Sequence, residues 1–302
     1  MLPDRTARGR AVVLAIALSL TVAGCFGDPP PSAAPTPTRA PEPTPITTTY
    51  QLGTTAWYAG LVLHVDSATA TLDERGGPVV VALRLDNPGT DQAQLNGKVW
   101  LVVNGERIEA SRDSKVPTVP AAGSAGAALT YELQGIRSVD DAVIEIGDAP
   151  LHVVKIPLTA GAGEVVLFEP RELDVSDARP ETAGNLRIVL RKALLRWDLP
   201  DWLEELDADL AALTLTYDVT YVGDFAGGFA FTGDNVQLRL PDGTRVHARP
   251  DGHSQSIELI GSRKTKKGLF SRFEIPAGTT GDFALVVHSG GTERAIEFTI
   301  ED

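Results

Sequence analysis

Apolar and polar positions alternate along most of the chain from residue 50 onward, in short runs rich in β-branched residues. The runs GLVLHVDSATA (60–70), PVVVALRLDNPG (78–89) and AALTYELQG (127–135) follow a period of two, which is typical of half-buried strands. Gly, Pro, Asn and Asp end these runs at the spacing of about 8–12 residues that sandwich strands have. The pattern therefore predicts an all-β fold.

A β-hairpin is predicted where VNGE (103–106) places Asn-Gly between two strand-like runs. Asn-Gly accepts the positive backbone angles of a two-residue hairpin turn. Asp242 and Gly243 occupy the corresponding place in a later segment of similar pattern. The two segments belong to a longer repeat.

Five blocks of the chain recur in the same order after about 135 residues, a period that a duplication would produce. The matched blocks are 60–72 with 185–197, 79–91 with 212–225, 98–114 with 235–252, 128–148 with 269–290, and 151–157 with 294–300. One match could arise by chance, whereas five in series favour a duplicated domain. We therefore predict two tandem β-sandwiches, over residues 50–160 and 161–302.

The second repeat contains an insert, WDLPDWLEELDADLAA (197–212), that the first repeat lacks. Trp197 and Trp202 recur with three leucines at helix-like spacings, acidic residues fill the remaining positions, and Pro200 suits a first helical turn. We therefore predict a helix of two or three turns. Its tryptophans form either a ligand or partner surface, since Trp anchors many interfaces, or a cover over one end of the second core, and we favour the cover.

The first 24 residues have the layout of a secretory signal peptide. Three arginines precede thirteen uncharged residues (11–23). As a helix these span about 20 Å, too short for a hydrocarbon core of about 30 Å. VAGC, ending at Cys25, resembles the lipobox of bacterial lipoproteins. The resemblance implies cleavage after Gly24 and a diacylglyceryl anchor on Cys25, at the extracytoplasmic face of the cell membrane; the alternative is an incidental thiol beside an ordinary cleavage site.

Residues 25–49 are predicted to form a stalk between this anchor and the folded part. Eight prolines lie between residues 26 and 49, with almost no apolar residues to bury. Such a segment favours extended polyproline II, which rises about 3.1 Å per residue and would reach roughly 70 Å. A tail with no spacing role is the alternative.

Charge and cysteine content exclude several classes of function. The chain has a net charge of −13, and removal of residues 1–24, with three arginines and one aspartate, makes it more negative. We therefore expect no nucleic-acid binding, which needs basic surface, and no flat contact with anionic lipid. Cys25 is the one cysteine, so the predicted sandwiches contain no disulfide, cysteine nucleophile or cysteine-ligated metal.

Catalytic and metal-ligating patterns are absent from the sequence, and we predict no catalytic residue and no cofactor. Serines lack a G-x-S-x-G context, and no nucleotide-binding glycine motif occurs. His247 and His253 flank a turn, but zinc needs further ligands. Asp207 and Asp209, with Asp174 or Asp177, offer oxygens to calcium without an EF-hand pattern, and a solvated face is the better interpretation.

A basic segment, GSRKTKKG (261–268), stands out in this acidic chain. It contains Arg263, Lys264, Lys266 and Lys267 and no acidic residue. We expect a loop between strands, because loop tips commonly carry charge. The alternative is a contact for an anionic envelope polymer or an acidic partner.

Several strand and loop motifs identify a family resemblance. They are LDNPG (85–89), NGERIEA (104–110), DGTRVHA (242–248), VPAAGSAG (119–126), LTYELQG (129–135) and SRFEIPAG (271–278). They resemble the immunoglobulin-like domain of unknown function found in bacterial, especially Gram-positive, surface lipoproteins, which is related to a small secreted immunogenic mycobacterial sandwich. The resemblance covers nearly all of 50–302, although DVTYVGDF (218–225) lacks the expected asparagine. It implies two immunoglobulin-like sandwiches in the cell envelope and carries no catalytic residues.

Together these features predict a lipid-anchored, extracytoplasmic, non-catalytic binding protein with a protein, peptide or envelope-polymer partner. Trp197, Trp202 and the four basic residues are the candidate partner surface. One alternative is an envelope hydrolase or metal-dependent enzyme, which requires His and carboxylate side chains to converge at the junction of the two sandwiches. Another is a purely structural spacer, which requires no concave or aromatic surface.

Overall fold

The computed structural model describes residues 44–159, 165–250 and 257–301. The predicted signal peptide, Cys25 and the predicted stalk up to residue 43 lie outside these residues, whereas residues 46–49, also predicted as stalk, belong to the first strand. The described chain is all-β and forms several sheets, as the alternating pattern predicted. Among the described residues, no helix is long and apolar enough to cross a membrane.

Two facing sheets surround the first hydrophobic core. Their strands are β1 (Ile46–Tyr58), β2 (Leu61–Leu72), β3 (Gly76–Asn87), β4 (Val99–Val103), β5 (Glu106–Glu109), β6 (Gly123–Gln134), β7 (Val143–Ile146), β8 (Val154–Pro157) and β9 (Val165–Leu167). One sheet has the order β6-β3-β2-β1-β9 and the other β5-β4-β7-β8. All pairings are antiparallel except that of β1 with β9.

The second core is enclosed by later strands. These are β10 (Arg171–Leu173), β11 (Glu181–Ala183), β12 (Leu186–Arg196), β13 (Asp198–Leu199), β14 (Glu204–Glu205), β15 (Leu210–Tyr221), β16 (Phe229–Phe231), β17 (Val236–Arg239), β18 (Arg245–His247), β19 (Glu258–Ile260), β20 (Thr265–Pro276), β21 (Gly281–Ser289) and β22 (Thr292–Ile300). The main sheets have the orders β10-β12-β15-β20 and β18-β17-β21-β22, and β11 also pairs with β12. The hairpin β13–β14 and the two-stranded antiparallel sheet β16–β19 stand apart from them.

The strand orders around the two cores correspond. The order β6-β3-β2 around the first core matches β20-β15-β12 around the second, and β5-β4-β7-β8 matches β18-β17-β21-β22. These pairs are the blocks whose sequences repeat. Each core consists of the inward-facing side chains of its two sheets, which is the packing of a β-sandwich.

A β-bulge in β2 explains why its alternation changes phase. Leu61, Leu63 and Val65 are fully buried, and the pairing with β3 then shifts by one residue before Ser67. After the shift the buried positions are Ala68, Ala70 and Leu72. An extra residue in one strand reverses the faces that later side chains occupy, so the buried residues change from odd-numbered to even-numbered positions.

The helix predicted over the insert is only one turn long. Pro200–Trp202 form a single turn of 3-10 helix, which lies inside the hairpin β13–β14. The turn ends where Leu203 takes a left-handed conformation, with φ of 54°. Leu199 and Leu206, on opposite strands of this short hairpin, are buried, whereas Trp202 in its turn is half exposed. The helix-like spacing of Trp and Leu therefore does not mark one buried helical face.

Candidate functional site

The insert joins the two cores. We call residues 197–206, which contain the hairpin β13–β14, the clasp. The clasp contacts the turn between β1 and β2, where Ala59 and Gly60 have φ of 47° and 83°. Positive φ at both central residues marks a type I′ hairpin turn, whose two amide groups point away from the ladder and need other acceptors.

Two carboxyl groups of the clasp accept hydrogen bonds from these amides. Glu205 Oε2 lies 2.8 Å from the Ala59 nitrogen, and Asp198 Oδ2 lies 2.6 Å from the Gly60 nitrogen. The two acidic side chains are only 1% and 4% exposed. The contact therefore satisfies buried donors of the first core with buried acceptors of the insert.

Arg196 balances the charge of Asp198. Its Nε lies 2.7 Å from Asp198 Oδ1, and a second guanidinium nitrogen lies 3.0 Å from Oδ2, so the pair is bidentate. The guanidinium also stacks over the Trp57 ring of β1, with 5.4 Å to the ring centre. Both members of this ion pair thus contact the first core, Arg196 through the Trp57 ring and Asp198 through the Gly60 amide.

A second set of contacts lies at the C-terminal end of the clasp and just after it. Leu206 O accepts hydrogen bonds from the backbone nitrogen and from Nδ1 of His152, both at 3.0 Å. A carbonyl can only accept, so Nδ1 carries the proton. The Ala208 amide donates to Pro150 O at 2.8 Å. Burial lowers the pKa of His152, which favours the neutral ring.

Glu205 is the electrostatically unusual group of the clasp. Burial raises its pKa to about 9, and the charge of Asp198 adds to this effect, although the Ala59 amide and Arg196 act against it. Its Oε1 atom has no hydrogen-bond partner among the described residues and lies 3.6 Å from His152 Nδ1. Glu205 therefore carries its proton at neutral pH.

The junction brings together a histidine and two carboxylates, which is the arrangement that the enzyme alternative requires. His152, Asp198 and Glu205 are almost completely buried, and each bonds groups that join the two cores. A substrate could not reach their polar atoms without opening the junction. No group of three or more His, Cys, Asp or Glu residues suited to a metal ion is present in the described ranges. The geometry favours a structural role.

A hydroxyl, imidazole and carboxylate also line up on the outer face of the first core. Thr55 Oγ1 lies 3.1 Å from His64 Nδ1, and His64 Nε2 lies 2.9 Å from Asp86 Oδ2. They belong to the adjacent strands β1, β2 and β3, whose amides are committed to the sheet ladder. Because amides in a ladder cannot form an oxyanion hole, we interpret the row as cross-strand polar contacts.

A second candidate site lies at the end of the second core that is remote from the clasp. The outer face of the two-stranded sheet β16–β19 and the loop 222–228 expose Phe225, Ile257 and Leu259 by 69%, 71% and 69%. Leu259 pairs with Ala230, so both face outward, whereas Phe231 and Ile260 face the core and are buried. We call this group of exposed residues the hairpin surface.

Two polar contacts hold the hairpin surface in place. Arg263 Nε bonds Asp224 Oδ1 at 2.7 Å, and Ser262 Oγ donates to Gly223 O at 2.8 Å. They tie the loop 222–228 to the turn after β19. Contiguous exposed apolar side chains bordered by polar groups are typical of interaction sites.

The four predicted basic residues border the hairpin surface. All are exposed, and Lys266 pairs with Glu258 at 2.9 Å. Lys266 and Lys267 lie at the start of β20 rather than in a loop, and both line a cavity of about 230 Å³ with Tyr217 and Phe231. The sequence gives no sign that Tyr217 and Phe231 lie beside this basic segment, because both precede Lys266 and Lys267 by more than 30 residues.

The two predicted tryptophans occupy different environments. Trp197 is partly buried, packs against the second core and lies 6.1 Å from Phe168 between ring centres. Trp202, in the turn of the clasp, is 50% exposed. Trp197 thus covers the core, as favoured from the sequence. The exposure of Trp202 does not fit that interpretation, and its role in binding stays a prediction. His253, proposed with His247, lies outside the described residues.

Comparison with known proteins finds no matching family model and no matching curated protein. Among the solved structures that match is the crystal structure of the Pseudomonas aeruginosa CupB2 chaperone. It is 11% identical, the alignment covers 73% of this chain and 92% of that chain, and the TM-score is 0.17. A likeness at this level carries no argument about function.

Proposed function

We propose that this chain is a lipid-anchored, non-catalytic binding protein on the extracytoplasmic face of a bacterial cell envelope. Its binding site is the hairpin surface, and its partner is a protein with acidic and apolar side chains. The observation that carries the proposal is the exposure of about 70% at Phe225, Ile257 and Leu259. Leu259 belongs to β19, Ile257 directly precedes that strand, and Phe225 belongs to a loop bonded to the turn after β19. Three such side chains in water are unfavourable unless a partner covers them.

Charge complementarity supports an acidic partner. The segment 261–268 carries four cations and no anion in a chain with a net charge of −13. Arg263 and Lys266 are paired within the chain, and Lys264 and Lys267 are exposed beside them. An acidic protein is therefore attracted to this end of the molecule and repelled by most of the rest, which orients its approach.

The alternatives account less well for these features. A purely structural spacer gives no reason for an exposed phenylalanine beside two exposed aliphatic residues. A hydrolase at the junction needs access to side chains that are buried in the clasp. The clasp instead favours a binding role, because it fixes the hairpin surface relative to the first core and so to the predicted stalk.

The binding site is tested by replacing Phe225 and Leu259 together with serine. We expect cross-linked recovery of a partner from intact cells to fall at least about tenfold, since most binding energy resides in a few apolar anchors. The free energy of unfolding should change by less than about 0.5 kcal/mol, as for most surface changes. Trp202→Ser, a matched loss of an exposed aromatic side chain, should leave recovery intact.

Two results would contradict the proposed site. Unchanged recovery with the double variant would exclude the hairpin surface, and loss with Trp202→Ser alone would move the site to the clasp. Lys264→Glu tests the charge attraction. We expect this variant to recover less cross-linked partner, with the largest loss at low salt, where charge attraction is least screened.

The membrane anchor is tested separately with Cys25→Ala. The predicted lipid is attached to the sulfur of Cys25, so the variant should move from the membrane fraction to the soluble fraction or the medium. Circular dichroism and thermal unfolding should be unchanged, because both cores are built from residues 52–300. Membrane retention equal to that of the wild type would refute the anchor.

A further inference from the structure

The joint between the two cores depends on a small number of polar contacts. The carboxyls of Asp198 and Glu205 hold the β1–β2 turn, and Leu206 O holds His152. These contacts are almost completely buried, so each polar atom must be satisfied within the joint. A change in the charge of one group therefore affects whether the joint stays docked.

Glu205 is the group whose surroundings fit only one charge state. A single amide, that of Ala59, donates to its carboxyl, and the other oxygen has no partner in the described part of the chain. The neighbouring donor His152 Nδ1 lies 3.6 Å from this oxygen, and its proton is already used in the hydrogen bond to Leu206 O. An ionised carboxylate would be poorly satisfied here, whereas a protonated carboxyl is neutral.

Charged and titratable groups face Glu205 from every neighbouring element. Asp198 of the clasp and Tyr58 of β1 lie close enough to interact electrostatically with it, and Arg196 of β12 is the nearby cation. His152 in turn faces the carboxylates of Asp198, Asp207 and Asp209. Arg196 is engaged in its bidentate pair with Asp198, which leaves Glu205 as the uncompensated acid.

We propose that the proton on Glu205 controls the docking of the clasp on the β1–β2 turn, so that the joint between the two cores loosens as this proton is lost. This inference concerns the joint and is independent of what the hairpin surface binds.

The direction of the pH effect follows from the two buried groups. The pKa of Glu205 rises from 4.5 to about 9 on docking, so docking binds a proton and weakens by about tenfold per pH unit as pH rises between these values. The pKa of His152 falls below 6.5 on docking, so protonation of the undocked ring opposes docking in acid. Between pH 4.5 and 6.5 the two effects oppose each other. Above pH 6.5 only that of Glu205 remains, and below pH 4.5 Glu205 is protonated in both states, so only that of His152 remains. Docking is therefore tightest in mildly acidic solution.

Amide hydrogen exchange at Ala59 and Gly60 in the full chain tests this inference between pH 6.5 and 9. After correction for intrinsic exchange, we expect wild-type protection to fall by about tenfold per pH unit. Glu205→Gln keeps a neutral acceptor and should change by less than about threefold across the range. Glu172→Gln, which removes an exposed carboxyl paired with Lys192, should behave like the wild type.

Three results would overturn the inference. They are constant protection in the wild type, an equal fall in the Glu205→Gln variant, and a Glu205 carboxyl that titrates near 4.5 by carbon-13 NMR of the wild-type protein. The last measurement needs no variant, so it decides the question even if a substitution at position 205 impairs folding. Tyr58, with a pKa raised by burial to about 12, stays neutral throughout the pH range.

Discussion

Replacement of Gly60 with alanine is expected to lower the free energy of unfolding by about 2–4 kcal/mol. Gly60 has φ of +83°, and a Cβ built on it would lie 2.8 Å from the Cα of Pro200. The Cα of Pro200 is a backbone atom of the clasp, so the clasp would have to shift as a whole. Such a shift would pull the Asp198 carboxyl away from the Gly60 amide. Equilibrium unfolding in urea provides the measurement.

Gly105→Ala is the matched control for this substitution. Gly105 has φ of +80°, nearly the same backbone strain, but no atom lies within 4 Å of the added Cβ. The free energy of unfolding should therefore fall only by the cost of placing alanine in a left-handed conformation, about 1 kcal/mol. Equal losses at the two positions would show that close approach to Pro200 does not hold the clasp.

Arg196→Met is expected to lower the free energy of unfolding by about 3–5 kcal/mol, the usual result of removing one partner of a buried ion pair. The variant leaves the Asp198 carboxylate, 4% exposed, without its bidentate cation, and it removes the contact with Trp57. Asp198→Asn introduced in the same chain should recover part of the loss, because the buried group is then neutral. Thermal and urea unfolding measure both variants.

Arg245→Met provides the control for Arg196→Met. Arg245 also makes a bidentate pair, with Glu293 at 2.6 and 2.9 Å, but both side chains are more than 40% exposed. Water already solvates these charges, so we expect little change in stability. A comparable loss at both positions would contradict the importance of burial at the clasp.

Much of the fold could be predicted because strand alternation is a local property. The period of two in β2, β3 and β6 reflects which faces are buried, and Asn104-Gly105 does form the turn between β4 and β5. The bulge in β2 shows the limit of such patterns. An inserted residue changes the buried parity without any distinctive sequence signal.

The clasp could not be predicted because its partners are distant in sequence. The helical pattern places Glu205 among the acidic residues of the predicted helix and gives Asp198 no role, whereas both carboxyl groups accept hydrogen bonds from the amides of Ala59 and Gly60, about 140 residues earlier. The helix itself is limited to one turn because Leu203 takes a left-handed conformation. Acidic residues at helix-like spacing give no indication that a remote turn needs buried acceptors.

The hairpin surface was only half visible in the sequence. The basic segment 261–268 is evident from its charge, but Phe225, more than 35 residues earlier, is brought near it only by the fold, through the contact of Arg263 with Asp224 and the pairing of β16 with β19. Exposure is also a property of the fold, because Phe231 and Ile260 of the same strand pair are buried. Composition alone does not distinguish these two faces.

Photo-cross-linking from position 225 on intact cells tests the proposed binding role most directly. A photoreactive phenylalanine analogue at this position should yield one reproducible protein adduct, depleted at least about tenfold by Leu259→Ser and reduced by high salt. The same analogue at Trp202 serves as the comparison and should not yield that adduct. No adduct from position 225, or an adduct unaffected by Leu259→Ser, would contradict the proposal that the hairpin surface is the binding site.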